Sequence, residues 1–176
     1  MDTPAFPVPR TRFAAPDSLA PGLALRPAED RDVPYLRNLY AASRAAEVAI
    51  MPWSDAAKRA FLDSQFDMQH RHYSACYANG EFLIVLHEER PAGRLYLHGT
   101  TRELCIVDIL LDEAFRGRGI GSILLRWLQE VTKARGLEHL HLSVLVHNMA
   151  ARRLYERHGF IAGELAGMHI PMTWRP

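Results

Sequence analysis

The stretch Arg116-Gly117-Arg118-Gly119-Ile120-Gly121-Ser122 sets three glycines in five positions, between an apolar run and an amphipathic segment. Glycine has no Cβ, so the backbone turns tightly and its amides stay open to a ligand. The first turn of a following helix leaves several N–H groups without partners, at the positive end of the helix dipole. Such a site binds phosphate. Arg116 and Arg118 add charge complementarity, and the chemistry that fits is capture of a pyrophosphate-bearing cofactor by backbone amides. Two neighbouring motifs fit less well. A P-loop needs a lysine that Gly121-Ser122 lacks. A dinucleotide fingerprint needs an acid at the end of the next strand, whereas Glu138 stands before it. A glycine-bearing strand-to-helix turn without a ligand is the bland alternative.

Other groups with chemistry are more scattered. Asp108 interrupts an apolar strand, and a buried carboxylate there requires a partner or a raised pKa. It is a member of an ion pair or a base. His139 and His141 share a strand face, but no third ligand has recognisable spacing, so they read as solvent-facing and no metal is expected. Cys76 and Cys105 could form at most one bridge. Cys105 lies in a core strand, so two free thiols in a reducing compartment is the expectation.

The elements that would position these residues follow from periodicity. Residues 1–22 hold five of the eleven prolines without apolar period and read as a disordered or loosely draped extension before a domain over 23–176. Leu23 to Arg26 reads as a first strand. Val33, Leu36, Leu39 and Tyr40 then predict a helix reaching about Val48. Met51 to Asp55 breaks it, with Ser54 or Asp55 as cap for a second helix carrying Ala57, Phe61, Leu62, Gln65, Phe66, Gln69 and Tyr73. Strands follow over Glu81–His87, Gly93–His98 and Leu104–Leu111, with a hairpin turn at Glu88–Pro91. The helix after the glycine loop carries Ile120, Ile123, Leu124, Trp127, Leu128, Val131 and Ala134 on one stripe, and Gly136 suits its C-cap. Leu140–Val146 alternates as a strand. Asn148 caps a helix bearing Ala151, Leu154 and Tyr155, and Phe160 with Met168–Trp174 completes the sheet as a hairpin. The class is α/β, in one domain.

Composition bounds the partners. A chain of 176 residues with a formal net charge of +1 carries no electrostatic case for nucleic acid or an anionic membrane. No apolar run reaches the roughly 20 residues of a membrane span. The N-terminal segment lacks the pattern of a secretory signal, and a cytoplasmic location is the expectation.

Two segments together say more than either alone. Asn148-Met149-Ala150-Ala151-Arg152-Arg153-Leu154-Tyr155-Glu156-Arg157-His158-Gly159-Phe160 resembles the Asn-x-x-Ala-x-x-Leu-Tyr-Glu-x-x-Gly-Phe signature of the GNAT superfamily of acetyl-CoA-dependent N-acetyltransferases. Val107 to Gly121 resembles that family's Arg-x-x-Gly-x-Gly cofactor loop and the strand before it. The resemblance is specific over roughly residues 104–160. It implies a mixed, mostly antiparallel central sheet flanked by helices, with acetyl-CoA as co-substrate. It implies that amides from Arg116 to Ser122 hold the coenzyme pyrophosphate, and that the strand edge at Ile109, Leu110 and Leu111 pairs with the pantetheine amides. Asn148 would cap its helix and meet the pantetheine arm. Tyr155 would protonate the departing thiolate, or else be a core aromatic.

The acceptor half is less defined. Relatives carry a glutamate where this chain has Cys105, so the base falls to Asp108, Glu103 or an ordered water. A lysine-like amine, with a pKa of about 10.4, must lose a proton before it attacks. Acceptor contacts are expected between the first two helices and the last hairpin, from Trp53, Gln65 and Gln69, with Phe66 and Tyr73 as core. Arg152, Arg153 and Arg157 read as a solvated face. The reaction expected is direct acetyl transfer to an amine of a small molecule or a peptide. A non-catalytic coenzyme-binding module and a nucleotide-binding protein are the alternatives, and an exposed final hairpin is the surface for a homodimer.

Overall fold

The apolar runs become seven strands of one sheet in a computed structural model, which describes residues 5–7 and 18–176. They are β1 (Leu23–Pro27), β2 (Glu81–His87), β3 (Arg90–Gly99), β4 (Glu103–Leu111), β5 (His139–Leu145), β6 (Ile161–Ala162) and β7 (His169–Trp174). Their order is β1-β2-β3-β4-β5-β7-β6. Only β4 and β5 are parallel; the other pairs are antiparallel. The helices are α1 (Val33–Ala49), α2 (Asp55–Cys76), α3 (Ile120–Ala134) and α4 (Met149–Arg157). This is the mixed, mostly antiparallel α/β sheet expected, with helices on both faces.

Strand alternation builds two cores. On one face Leu83, Leu95, Leu97, Leu104, Ile106, Leu140 and Leu142 pack with Ile120, Leu124, Leu125 and Leu128 of α3. On the other face Phe82, Ile84 and Tyr96 pack with Leu36, Leu39 and Tyr40 of α1 and Leu62 and Phe66 of α2. Helix starts follow their side chains. Ser54, rather than Asp55, caps α2 by accepting from the Ala57 N–H at 3.2 Å. No helix among the described residues is long and apolar enough to cross a membrane.

Three details differ from the sequence-based expectations. The hairpin between β2 and β3 turns on Glu88 and Glu89 alone, with φ of +50° and +63°, and Pro91 lies inside β3. Two successive positive φ values match the right-handed twist of the flanking strands, which outweighs the poor fit of glutamate there. Phe6 is not loosely draped: its ring lies 4.7 Å from His70 and 5.6 Å from Phe82. Most of the remaining expected extension, residues 1–4 and 8–17, lies outside the described residues.

The third difference is a bulge in β4. Leu97 pairs with Ile106 and Tyr96 with Asp108, so Val107 is the extra residue. Simple alternation would put Asp108 on the same face as Leu104 and Ile106, under α3. The bulge moves Asp108 to the α2 face.

Gly121 shows why α3 lies so near α4. A Cβ there would stand 3.0 Å from Leu154 Cδ2. Gly121→Val is therefore expected to destabilise by about 1–3 kcal/mol, through overpacking. Leu154→Ala should cost less stability in the Gly121→Val background, where it relieves the clash, than it does alone. Denaturant midpoints of the four proteins measure this.

Candidate active site

At the end of β4 the chain makes one short turn, Glu113–Phe115, capped by the Asp112 carboxylate, and enters the glycine loop. Gly117 and Gly119 have φ of +73° and +79°, a region where side chains are strained, and a Cβ on either would meet nothing within 4 Å. Backbone conformation demands glycine at these two positions, and the space beside them is open. The first helical bond of α3 runs from Ile123 N–H to Gly119 C=O at 3.1 Å. Gly119 has no side chain to cap the N–H groups of Ile120, Gly121 and Ser122, which begin the helix. Arg116 Nε donates to the Leu111 carbonyl at 3.0 Å, and the Arg118 guanidinium lies 5.4 Å from the Phe115 ring centre. Both arginines are exposed at the mouth of the loop.

Upstream of the loop the sheet parts. The β4–β5 ladder covers only Glu103–Ile106 against His139–Leu142. Beyond it β4 continues against β3 to Leu111, while β5 continues against β7 to Leu145. The backbone of residues 107–111, including Ile109, Leu110 and Leu111, therefore has no strand on its β5 side. Helix α4 follows β5, and the Asn148 side chain caps it by accepting from Ala151 N–H at 3.1 Å. Tyr155, on α4, is 6% exposed and packs against Phe160 at 5.9 Å. Burial, then the charge of Asp108, raise its pKa well above the ordinary phenol value. Its hydroxyl stays protonated.

Asp108 meets a partner that its own sequence neighbourhood does not contain. Arg94, on β3 and 2% exposed, donates from Nη2 to Asp108 Oδ2 at 2.5 Å and to Gln69 Oε1 at 2.7 Å. Burial opposes the charge on Arg94, but Asp108, Tyr96 and Tyr73 outweigh it and its pKa is raised. Arg94 escaped the sequence analysis, although Arg94, Tyr96 and His98 alternate on one face of an otherwise apolar strand. The Tyr35 and Tyr96 hydroxyls and Arg94 Nε are buried nearby without hydrogen-bond partners. Of the expected acceptor contacts, Gln69 reaches this network. Gln65 is half-buried one turn earlier on α2, and Trp53 stands apart, 43% exposed, against Phe61 at 5.4 Å.

The two strand histidines are corrected. His139 and His141 are half-buried, and Glu103 of the adjacent strand faces both, 2.9 Å from His139 Nε2 and 4.0 Å from His141 Nε2. The third group lies across a parallel ladder, which local spacing cannot show. Cys105 and Cys76 are free thiols. Burial, with Glu103, pushes the Cys105 thiol up to about 11, which keeps it a poor nucleophile at neutral pH.

A glycine loop opening a helix beside two parting parallel strands makes an open site for an anionic group next to a free strand edge. The chain belongs to the acetyltransferase (GNAT) family, whose model matches residues 35–160. It is 35% identical over 81 residues to the uncharacterized N-acetyltransferase YycN of Bacillus subtilis (strain 168), a match covering 44% of this chain and 52% of that protein. It is 28% identical over 141 residues to the putative phosphinothricin acetyltransferase YwnH of the same organism, covering 78% of this chain and 83% of the relative. Its fold is similar to that of PaiA N-acetyltransferase from Thermoplasma acidophilum, solved in complex with coenzyme A. The TM-score is 0.67 at 16% identity, over 88% of this chain and 99% of that one.

The buried ion pair yields a stability test. Asp108→Leu leaves the Arg94 guanidinium without its counter-charge and should cost about 3–5 kcal/mol. Asp108→Leu combined with Arg94→Met should regain most of that loss. Urea denaturation checks it, and a double variant no more stable than Asp108→Leu alone would mean the pair is not what the loss reports.

Proposed function

We propose that the protein transfers an acetyl group from acetyl-CoA directly to a primary amine of a small molecule or a peptide. The observation that carries this reading is the parting of β4 from β5 after Ile106 and Leu142, with the open glycine loop at one end and Tyr155 of α4 near enough to Asp108 to sense its charge. Amides of Arg116 to Ser122 take the pyrophosphate, with Arg116 and Arg118 as charge partners at the mouth. The unladdered edge at Ile109, Leu110 and Leu111 pairs with the pantetheine amides as an added strand would. Asn148 retains its capping role and presents the remaining lone pairs of its side chain to the arm.

The reaction is a single displacement. The neutral amine attacks the thioester carbonyl, a C–N bond forms, and collapse of the tetrahedral intermediate breaks the C–S bond. The Tyr155 hydroxyl donates to the leaving thiolate, and the amine's surplus proton passes to a base or water. Asp108 serves in part as the counter-charge of Arg94; Glu103 and an ordered water share the claim to the proton. Gln69, fixed by Arg94, and Gln65 form the acceptor wall on α2, with Trp53 at its outer end.

Tyr155→Phe should lower kcat by about 10²–10⁴-fold while coenzyme affinity stays nearly unchanged, as stopped thiol release and calorimetry would show. Asp108→Asn leaves the acid limb of the pH–rate profile in place if the carboxylate only neutralises Arg94, and removes it if Asp108 is the base. Gly119→Val places a side chain at positive φ, and a strain of about 1–2 kcal/mol should weaken coenzyme A binding roughly tenfold. A screen of amines with acetyl-CoA names the acceptor; coenzyme binding with no acceptor-dependent thiol release would instead mark a non-catalytic module.

A further inference from the structure

At the end of β4 away from the glycine loop, two strands bring together a group of side chains of which the acyl-transfer reading draws only on Glu103, as one of three claimants to the proton. Glu103 pairs in register with His139, and Cys105 with His141. Alternation puts these four residues on the sheet face opposite Leu104, Ile106, Leu140 and Leu142, which are buried under α3. The Glu103 carboxylate lies 2.9 Å from His139 Nε2 and 4.0 Å from His141 Nε2, and the imidazole centres are 5.5 Å apart. One ligand atom from each of the three residues falls within 4.8 Å of the others.

Two of these nitrogens have nothing to bond. His139 Nδ1 and His141 Nε2 are buried and lack hydrogen-bond partners. A buried polar atom without a partner costs free energy, so a native structure normally supplies one. A neutral imidazole offers a lone pair at its unprotonated ring nitrogen. No hydrogen bond among these three groups meets that demand as they stand, because the nearer Glu103 oxygen is 4.0 Å from His141 Nε2. An electron-pair acceptor does.

We propose that Glu103, His139 and His141 bind one first-row divalent cation of the zinc type, tying the start of β4 to the start of β5 below the point where the strands part. Two imidazoles and one carboxylate suit zinc, cobalt or nickel better than calcium or magnesium, which prefer all-oxygen sites. Tetrahedral zinc holds such ligand atoms about 3.3 Å apart, so the 4.0 Å separation of Glu103 and His141 closes by a small side-chain rotation. The fourth position is left to water. The sequence alone hides the site, since its two halves are separated by a loop and the whole of α3.

The test uses the full chain, stripped of metal by chelation, with Zn(II) by calorimetry and Co(II) by visible absorption. One exposed pair elsewhere, Cys76 with His72 at 3.5 Å, offers ligands of its own, so every measurement is made in a Cys76→Ser background. The expected result is one equivalent of Zn(II), a tetrahedral-type Co(II) spectrum, and a rise in Tm on zinc addition. His141→Ala and Glu103→Gln should each weaken zinc binding by about a hundredfold or more and abolish the Co(II) band. His98→Ala, which removes a neighbouring imidazole outside the three ligands, should leave affinity unchanged. Far-ultraviolet dichroism of the metal-free variants shows that each is folded. Absence of stoichiometric binding in the Cys76→Ser protein, or binding that His141→Ala and Glu103→Gln leave intact, overturns the proposal. Coenzyme A affinity and thiol release are read separately, so failure here leaves the acyl-transfer reading standing, and the reverse.

Discussion

A guanidinium enclosed between a sheet and a helix must have a counter-charge, and much of this site's arrangement satisfies that requirement. Arg94 is almost fully buried, and removing such a cation from water without a partner costs several kcal/mol. Asp108 supplies the partner only because the bulge at Val107 shifts it from the α3 face to the α2 face. The same guanidinium holds Gln69 and so helps fix α2 against the sheet. One irregular residue in β4 thus sets the register of the strand and the position of its carboxylate. The β4–β5 ladder ends at Ile106, the residue before the extra one. The ion pair and the parting of the strands therefore lie side by side in β4.

The glycine loop depends on backbone strain in a different way. Gly117 and Gly119 hold positive φ in open space, so their identity reflects conformation rather than crowding. Gly121 has an ordinary backbone and is small because Leu154 of α4 presses against it. Two glycines shape the proposed anion site, and the third leaves room for Leu154 of α4 against α3. That closeness matters because α4 carries Tyr155. A motif that looks like a single phosphate-binding device therefore divides into a loop function and a packing function.

Much of the fold was legible because its signals are local. The stripe from Ile120 to Val131 and the Asn148 cap each show their physics within a few residues. The alternation on β5 does so as well. What was not legible depends on pairing. Val107 is an ordinary strand residue in sequence, and only the β3 register makes it the extra one. Arg94 has nothing nearby in sequence to mark it, because its partner Asp108 lies across the β3–β4 ladder. Glu103 stands 36 positions from His139 in chain order, and their proximity follows from a parallel ladder that periodicity does not encode. At Glu88 and Glu89 strand twist overrides residue preference, and composition alone points to a longer turn.

Tyr155 and Tyr73 show why position rather than chemistry must assign the proton donor. Tyr155 is buried and Tyr73 half-buried, both sense Asp108, and both are held protonated by burial first of all. Their titration does not separate them. Their elements do. Tyr73 rises from α2, on the face where Arg94, Gln69 and the unpartnered Tyr96 hydroxyl meet, and it packs edge-on against Tyr96 at 5.9 Å. Tyr155 stands two turns into α4, the helix that follows β5 on the far side of the parted strands. In the proposed reaction a thioester along the edge of β4 would have α4 on one side and α2 on the other. Tyr155 then suits the donor to sulfur, and the α2 side is left to the amine. One half-buried carboxylate influences both phenols because Asp108 lies between the two helices' faces of the sheet.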